Sequence, residues 1–400
     1  MSDTVSMPAA RRDETIDLQQ KLARVQGLLE ASRRVHSTIR LPDVLAIALE
    51  IAAKELEAEG AFFVSRDGQW ESRVSAFGHA PDDWTRWTTD ADMPGYASAP
   101  LAGERGEIAG HLVVYRADAL SLEEMDFLEG LALQSALAIG NAQHHERMIE
   151  WERVKLDLDA ARSIQRSLLP QAIPDVPGYR VNLRSTTCYE VGGDYVDVAV
   201  LPDGRLMMAL ADVAGKGLAS ALISMTFRST FRAIAAAGLP LEEVAAKINM
   251  LHWQEGTEAR RRYVTAVLVC LDPANHRIEV VSAGHNPAFF LVAGREPIRI
   301  GASGPPLGML PNRSYERESF EFPEGSELLL YTDGLTEVFR GDEEFGEDRL
   351  LGLFAGGCAG DFLDHAWSTL ARFSGGARQT DDMTALHLRR MAAAAKGETA

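Results

Sequence analysis

The 400-residue sequence predicts an α+β protein in which two folded parts are joined by one long helix. Short apolar runs separated by turn residues predict antiparallel strands in both parts. Helical patterns interrupt these strands in pairs, which indicates sheets covered by helices instead of a regular βαβ alternation. A heptad-like pattern runs between the two parts and predicts the connecting helix.

The composition narrows the classes of protein that this chain can be. Hydrophobic residues make up 46% of it, enough for packed cores, and the formal net charge is −18. Such an acidic surface repels phosphate backbones, so we expect no nucleic-acid partner. No apolar stretch approaches the ~18 residues of a membrane span, and the N-terminus lacks the pattern of a signal peptide. Three well-separated cysteines fit a reducing compartment, so we expect a cytoplasmic protein with no membrane partner.

Shifts in composition divide the chain into five predicted segments. The second domain begins after the proline-rich break Q-A-I-P-D-V-P-G. The segments are a disordered tail (1–15), a first α/β domain (16–145), a coiled-coil linker helix (146–170), a second domain (171–392) and a short tail (393–400).

A helix is predicted from Ile16 onward. Its apolar residues Leu18, Leu22, Val25 and Leu29 are spaced 4-3-4, which is an a/d pattern about two heptads long. Two interpretations remain open: an amphipathic helix that packs on its own domain, or a seam between two chains.

The order of elements in the first domain resembles that of a GAF domain. A helix at 41–60 precedes strand-like runs that begin at residues 61, 72 and 111. A long helix then opens with the capping-box sequence Ser-Leu-Glu-Glu at Ser121 and runs through A-L-A-I-G-N-A. The resemblance covers residues 20–145 and implies a small sensory module that also contributes to dimerisation.

The GAF-like region carries no residue that identifies a ligand. It contains no cysteine that could hold a chromophore covalently. His79 and His111 are candidate ligand-binding residues, although isolated histidines are more often ordinary surface or core residues. We therefore expect a small or collapsed pocket and a role in dimerisation.

The helix that opens at Ser121 is predicted to continue to the Leu-Leu-Pro sequence that ends at Pro170. A helix of this length, on the order of 70 Å at 1.5 Å per residue, cannot be buried by one small domain. We therefore expect two chains to pair along its heptad pattern, which consists of Trp151, Val154, Leu158, Ala161, Gln165 and Leu168.

Acidic residues mark the ends of several apolar strands in the second domain. Each one precedes or follows a buried strand, so the carboxylates should converge at one end of a layered sheet structure. Any one of them could be an ordinary turn residue, but this explanation weakens when all are considered together. Converging carboxylates repel one another unless cations lie between them, and hard divalent cations prefer oxygen ligands. The residues concerned are Asp194, Asp212, Asp333, Asp381 and Asp382.

Two nearby motifs have simpler explanations than the chemistry they suggest. The A-G-K-G sequence around Lys216 lacks the full phosphate-loop pattern, and Lys216 is expected to be a solvent-exposed loop residue that could help hold phosphate. His285, in S-A-G-H-N-P, is more simply explained as a turn histidine bonded to local backbone than as a ligand or base.

Taken together, five motifs resemble those of one enzyme family. They are V-G-G-D-Y-V-D, D-V-A-G-K-G, S-A-G-H-N-P, Y-T-D-G-L-T-E and Q-T-D-D-M-T. The family is the PPM-type metal-dependent serine/threonine phosphatases, in their bacterial SpoIIE/RsbU branch, and the resemblance covers about residues 165–390. It implies an α-β-β-α sandwich with two Mn²⁺ or Mg²⁺ ions at its edge.

The resemblance also implies roles for individual residues. Ala214 stands where eukaryotic relatives carry a histidine proposed as general acid, so the group that protonates the leaving oxygen is not assigned. Asp382, Gly193 and Lys216 would support the site or replace a ligand. The implied metal ligands are Asp194, Asp212, the backbone carbonyl of Val213, Asp333 and Asp381.

The function implied is hydrolysis of phosphoserine or phosphothreonine in a protein, under control of the sensory domain. The implied substrate and partner is a phosphorylated anti-anti-sigma protein with a STAS domain, in a partner-switching pathway of stress response. The expected homodimer would form through the linker helix and the GAF-like domain. The helices after Leu218 would then shift and open or close the metal site. An alternative is a non-catalytic scaffold that only binds a phosphoprotein.

Overall fold

The computed structural model describes residue 22 and residues 25–65, 77–78, 93–103, 106–358 and 360–391. Both predicted tails, His79 and most of the strand predicted at residue 72 lie outside these ranges. The chain divides into two compact units, residues 1–154 and 155–400. In the described part of the chain, no helix is both long enough and apolar enough to cross a membrane.

The first unit places helices beside one antiparallel sheet. Its helices are α1 (25–35) and α2 (Leu41–Glu55), which ends earlier than the predicted residue 60. The strands have the order β2-β1-β4-β3. Their bounds are β1 (Gly60–Ser65), β2 (Phe77–Gly78), β3 (Tyr96–Ala102) and β4 (Ile108–Tyr115). The similarity to GAF domains stays a prediction.

Helix α3 (Leu122–Leu168) is the long helix expected from the sequence. Ser121 caps it as a capping box, because the Glu124 amide donates to Ser121 Oγ and the Ser121 amide donates to Glu124 Oε2. Trp151 and Val154 of the heptad pattern are 76% and 46% exposed. Pairing of two chains along this pattern also stays a prediction.

The second unit contains two five-stranded antiparallel sheets. The first has the order β12-β9-β8-β7-β6 and the second the order β11-β10-β13-β16-β5. The strands of the first sheet are β6 (Tyr195–Val200), β7 (Leu206–Val213), β8 (Val264–Asp272), β9 (Arg277–Ala283) and β12 (Glu318–Glu321). Those of the second are β5 (Tyr179–Thr186), β10 (Ala288–Leu291), β11 (Ile298–Ile300), β13 (Glu327–Tyr331) and β16 (Met383–Arg390). A separate hairpin joins β14 (Phe339–Arg340) and β15 (Glu343–Glu344).

Helices cover both outer faces of the paired sheets. On the first sheet lie α4 (Leu218–Ala235) and α5 (Leu241–Gln254), followed by the short α6 (Thr257–Arg260). On the second lie α7 (Glu347–Ala355) and α8 (Phe362–Ser374). One apolar core lies between the sheets and one lies under each helical layer. The predicted α-β-β-α sandwich is therefore confirmed.

The strand alternation explains how one sheet supplies two cores. Along β7, Met208 and Leu210 belong to the core between the sheets, whereas Met207 and Ala209 pack under α4 and α5. Since both faces are covered, the strand is apolar at nearly every position, and Asp212 near its end is an exception that the site explains.

Candidate metal centre

The β6–β7 hairpin places Asp194 opposite Asp212. The strands pair in antiparallel register from Tyr195 with Ala211 to Val200 with Leu206, and one further step brings the two acids opposite each other. Gly204, at a positive φ of 86°, closes the turn at the Asp203-Gly204 sequence, a combination typical of tight hairpins. The carboxyl group of Asp212 hydrogen-bonds to that of Asp194, so the hairpin brings the two acids into direct contact.

The second sheet contributes Asp333 and Asp381 to the same place. Asp333 begins a short 3₁₀ turn just after β13, and Asp381 lies just before β16, the strand paired with β13. Burial and then the charges of Asp333 and Asp381 raise the pKa of Asp212 to about 7. The four predicted acids therefore do converge between the ends of the two sheets.

The mutual repulsion extends through the cluster. Burial, followed by the charge of Asp212, raises the pKa of Asp194 well above its ordinary value. Burial and the neighbouring Asp381 carboxylate raise the pKa of Asp333 as well. The carboxylates repel one another and therefore hold protons at higher pH than usual. A cation bound between them would replace these protons and remove the repulsion.

The paired acids before β16 have different surroundings. Both oxygens of Asp382 are used by backbone amides: Cys188 N–H donates to Oδ1 at 2.8 Å and Gly193 N–H donates to Oδ2 at 2.9 Å. Asp381 instead forms an ion pair with Lys216, with 2.7 Å between Nζ and Oδ2. Asp382 therefore anchors the loop, while Asp381 faces the acidic cluster and a cation.

Lys216 is an exposed loop residue, as predicted, but two contacts hold its side chain. Besides its ion pair with Asp381, its ammonium donates to the backbone carbonyl of Thr380 at 2.7 Å. The hydrogen bond to Asp381 raises the pKa of Lys216. Gly215 and Gly217, with φ of 98° and 80°, turn the chain on both sides of the lysine. This turn directs Lys216 toward the loop that carries Asp381.

The two glycines before Asp194 are required by close contacts. A Cβ at Gly192 would lie 2.5 Å from Asp382 Oδ2, and one at Gly193 would lie 3.1 Å from the carbonyl oxygen of Val213. The sequence V-G-G-D thus lets one loop approach both Asp382 and the Val213 carbonyl, which the resemblance implies as a metal ligand.

Two buried threonines hold the Asp194 carboxylate, and the sequence analysis missed both. Thr332 Oγ1 donates to Asp194 Oδ2 at 2.8 Å, and the Thr384 amide donates to Thr332 Oγ1 at 3.0 Å. Thr384 also hydrogen-bonds to Asp194. The available signal was a hydroxyl residue within two positions of an acid, in the segments Y-T-D and D-M-T.

His285 links the two sheets beside two of the acids. Its Nε2–H donates to the carbonyl of Tyr331 at 3.0 Å, so its Nδ1 accepts from Thr265 Oγ1 at 2.8 Å. Thr265 pairs with Asp212 in the first sheet, and Tyr331 ends the strand before Asp333. Burial lowers the pKa of His285 to about 4, so it is neutral at physiological pH. His285 is a positioning residue, and its contacts are distant in sequence instead of local as predicted.

The second acid of V-G-G-D-Y-V-D serves packing. Asp197 is 0% exposed and accepts two hydrogen bonds from Arg232 of α4, at 2.6 Å from Nε and 2.7 Å from Nη2. The hydroxyl of Tyr195 also donates to it. Since β6 alternates its faces, Asp197 lies under α4, away from the acidic cluster.

The linker helix reaches the glycine loop through Gln165. Its Nε2 donates to the carbonyl of Gly192 at 2.7 Å, and its Oε1 accepts from the Gly192 amide at 3.2 Å. Gln165 is 8% exposed, so this heptad position is buried within its own chain. In the sequence, the only indication of this contact is that Gln165 is polar while the other heptad positions are apolar.

The oxygen-rich cluster has the chemistry of a site for hard divalent cations. In the described ranges, no three His, Cys, Asp or Glu side chains stand together in a way that could already hold a metal ion. Two oxygens of the cluster have other partners: Asp381 Oδ2 pairs with Lys216, and Asp194 Oδ2 accepts from Thr332 Oγ1. The Lys216 ammonium is a stand-in cation at Asp381. The residues therefore fit a metal once that ion pair is exchanged.

Comparison with known proteins shows what the second unit is similar to. Residues 202–391 match the family model described as "Stage II sporulation protein E (SpoIIE)". The fold agrees with the SiaA-PP2C domain of Pseudomonas aeruginosa, with a TM-score of 0.52 and 20% identity over 60% of this chain and 98% of that one. Residues 202–391 are thus similar to the SpoIIE family, and the second unit shares the fold of the SiaA-PP2C domain. Asp194 lies just before the matched span, and the other three clustered acids lie inside it.

Three curated proteins are similar to parts of this chain. The chain is 31% identical over 186 residues to phosphoserine phosphatase RsbP of Bacillus subtilis, covering 46% of each chain. It is 24% identical over 216 residues to phosphoserine phosphatase RsbU of the same organism, covering 53% of this chain and 62% of that one. Protein IcfG of Synechocystis sp. is 26% identical over 258 residues, 58% of this chain and 41% of IcfG. The chain thus spans between two fifths and two thirds of the length of these relatives.

Proposed function

We propose that this protein is a Mn²⁺- or Mg²⁺-dependent phosphatase that hydrolyses phosphoserine or phosphothreonine in a protein. The observation that carries the proposal is the convergence of Asp194, Asp212, Asp333 and Asp381 from four strand ends of two sheets. Two relatives named as phosphoserine phosphatases support the same chemistry.

The residues of the site divide into ligands and supports. Asp194, Asp212 and the Val213 carbonyl would hold the ions together with Asp333 and Asp381. Two bound cations would lower the pKa of a shared water and neutralise the phosphoryl oxygens. Asp194 is buried and held by Thr332, and Asp212, Asp333 and Asp381 are half-buried; this restricted arrangement favours stabilisation of charge without reorganisation.

The supporting residues fix that arrangement. Asp382 holds the amide of Gly193, and Lys216 neutralises Asp381 in the metal-free protein. With a metal held by Asp381, the Lys216 ammonium would be available to contact a phosphoryl oxygen, in line with the phosphate role considered for it in the sequence.

The proposed substrate is a phosphorylated anti-anti-sigma protein with a STAS domain, so that the output is partner-switching control in a stress response. The resemblance to the SpoIIE/RsbU branch supports this choice. A cytoplasmic location, with no nucleic-acid or membrane partner, belongs to the same proposal. Cys188, Cys270 and Cys358 are all free thiols, as expected in a reducing compartment.

The proposed regulation acts through the linker helix and α4. Two chains would pair along α3 and the GAF-like domain, and a signal there would change the position of the helix. Gln165 and α4 both contact the loop that carries Asp194: Gln165 holds Gly192, and Ser224 Oγ of α4 donates to the Asp194 carbonyl at 3.4 Å. A shift of either helix would thus change the spacing of Asp194 and Asp212.

Phosphate release tests the enzyme assignment. The full chain is assayed with a phosphoserine peptide in Mn²⁺, then with a chelator, and compared with Asp212→Asn. We expect Mn²⁺-dependent release that the chelator and the substitution both abolish, with the fold retained in circular dichroism. Release by Asp212→Asn at the wild-type rate would contradict the proposed site, and no release by a folded wild type would favour a phosphoprotein-binding scaffold.

A further inference from the structure

A groove opens beside the acidic cluster, between α8, residues 334–339 and residues 377–380. Its volume is about 220 Å³, below the ~300–1,000 Å³ of pockets that take a whole small molecule. Gly334 and Thr380 line it, and they are the chain neighbours of Asp333 and Asp381. The groove therefore shares its walls with two of the loops that carry the candidate metal ligands.

The interior of the groove is apolar. Val338, Phe339, Trp367, Leu370 and Met383 line it, and these side chains come from three separate elements. An apolar recess of this size, next to a polar site and open to solvent, has the properties of a subsite for one large apolar side chain.

The wall formed by residues 377–380 is held in place by hydrogen bonds. Gln379 Nε2 donates to the carbonyls of Thr186, at 2.9 Å, and Asp381, at 2.6 Å. Thr380 Oγ1 donates to the carbonyl of Glu337 at 3.2 Å across the groove. The groove is thus preformed, which lowers the entropy cost of binding.

The charged residues of the groove differ in their surroundings. Glu337 interacts with Asp333 and Asp381 and so belongs to the acidic side. Arg378 is exposed, and it forms no ion pair with any residue in the described part of the chain. An unpaired guanidinium at the groove of a chain with net charge −18 favours an acidic group in whatever binds there.

We propose that this groove binds the segment of the phosphoprotein substrate next to its phosphoserine, with an apolar side chain in the groove and an acidic residue against Arg378. This inference rests on the proposed phosphatase function. An extended chain advances about 3.3 Å per residue, so a peptide whose phosphate lies at the carboxylates reaches the groove within about three residues. The groove would therefore select substrates by the sequence around the phosphorylated residue.

Peptide scanning tests this selection. The probes are an alanine-based phosphoserine peptide and variants with leucine at each position within three residues of the phosphoserine. The full chain in Mn²⁺ should prefer leucine at one position by about tenfold in kcat/KM over the all-alanine peptide. In the preferred leucine peptide, glutamate is then placed at each remaining position within three residues of the phosphoserine. At one of these positions it should raise kcat/KM by about a further threefold, and Arg378→Gln should abolish this increase.

Groove-filling variants connect the preference to the groove. Ala371→Phe, on the exposed surface of α8, should reduce the ratio of kcat/KM between the leucine and all-alanine peptides toward one. Ala377→Leu in the loop provides a second filling variant if the first does not fold. Ser368→Phe is the matched control on α8 outside the groove, and it should keep the wild-type ratio.

The outcomes separate the two proposals. If the wild type cleaves the all-alanine peptide but shows no leucine preference, or if both filling variants keep that preference, the groove inference is wrong and the phosphatase assignment stands. If no peptide is cleaved in Mn²⁺, the phosphatase assignment fails and the groove inference fails with it.

Discussion

Gln165 forms two hydrogen bonds with the backbone of Gly192, donating to its carbonyl at 2.7 Å and accepting from its amide at 3.2 Å. Gln165 belongs to the long helix α3, and Gly192 is two residues from the candidate metal ligand Asp194. One side chain therefore joins the linker helix directly to the loop that positions the site. A signal carried by the helix would not need any other route to reach Asp194.

Replacement of Gln165 tests this connection. Gln165→Leu leaves the buried amide and carbonyl of Gly192 without partners, so we expect the loop to loosen. The expected result is about a tenfold weaker apparent affinity for Mn²⁺ and lower basal phosphate release, measured by Mn²⁺ titration of the full chain. Arg166→Leu, at the next and exposed position of the same helix, should behave like the wild type. Equal Mn²⁺ affinity in both variants would show that the contact does not support the site.

His285 offers a second test of how the acids are positioned, at the contact between the two sheets. His285→Ala removes the bridge between Thr265, beside Asp212, and Tyr331, two residues before Asp333. The four acids should remain, but their spacing should become less defined, so the Mn²⁺ concentration for half-maximal binding should rise about tenfold. The control is His365→Ala on α8. A wild-type titration curve for folded His285→Ala would contradict the positioning role.

The pH dependence of the metal-free protein follows from Asp212. An unfolded carboxyl loses its proton near its ordinary pKa of 3.8, whereas buried Asp212 keeps its proton to a pKa of about 7. Between these values the folded state binds more protons, so the free energy of unfolding falls as pH rises, by about 1.4 kcal/mol per pH unit for one fully titrating group.

Thermal unfolding in a chelator between pH 5 and pH 8 measures this effect. We expect the metal-free protein to become less stable toward pH 7, and Mn²⁺ to offset the loss because it compensates the carboxylates. Asp212→Asn, which cannot ionise, should show a shallower slope in the chelator. The same slope in the variant and the wild type would mean that Asp212 does not carry the shift.

The ion pair between buried Asp197 and half-exposed Arg232 predicts an effect on stability that leaves the candidate metal ligands unchanged. Arg232→Met leaves the Asp197 charge buried with only Tyr195 and a backbone amide, and should cost about 2–4 kcal/mol of unfolding free energy. Urea unfolding measures the loss. The double variant Asp197→Asn/Arg232→Met should recover part of it, whereas exposed Arg261→Met should cost little. Full stability of the single variant would show that the pair contributes nothing.

The sequence predicted the acidic cluster because local patterns determine it. Apolar strands that end in acids, an Asp-Gly turn and glycines before Asp194 place each carboxylate at a strand end. An α-β-β-α sandwich then brings Asp212 and Asp333 together from two sheets. The choice of Asp381 over Asp382 is supported by the anchoring of Asp382 to two backbone amides.

The contacts that hold the cluster could not be predicted in the same way. Gln165 fits a heptad pattern as well as it fits a buried contact with a loop, and periodicity cannot separate the two. Asp194 and Asp197 look alike in V-G-G-D-Y-V-D, and only the arrangement of the layers shows that Asp197 lies under α4. His285 depends on strands distant in sequence, Thr265 and Tyr331, which a local pattern does not contain.

The most direct test of the two-metal centre is the number of Mn²⁺ ions bound by the full chain, measured by calorimetric titration. The account predicts two ions for the wild type and for Asp342→Asn, an exposed acid outside the cluster. It predicts the loss of at least one ion in Asp212→Asn and in Asp381→Asn. Two ions bound with wild-type affinity by both cluster variants would contradict the account.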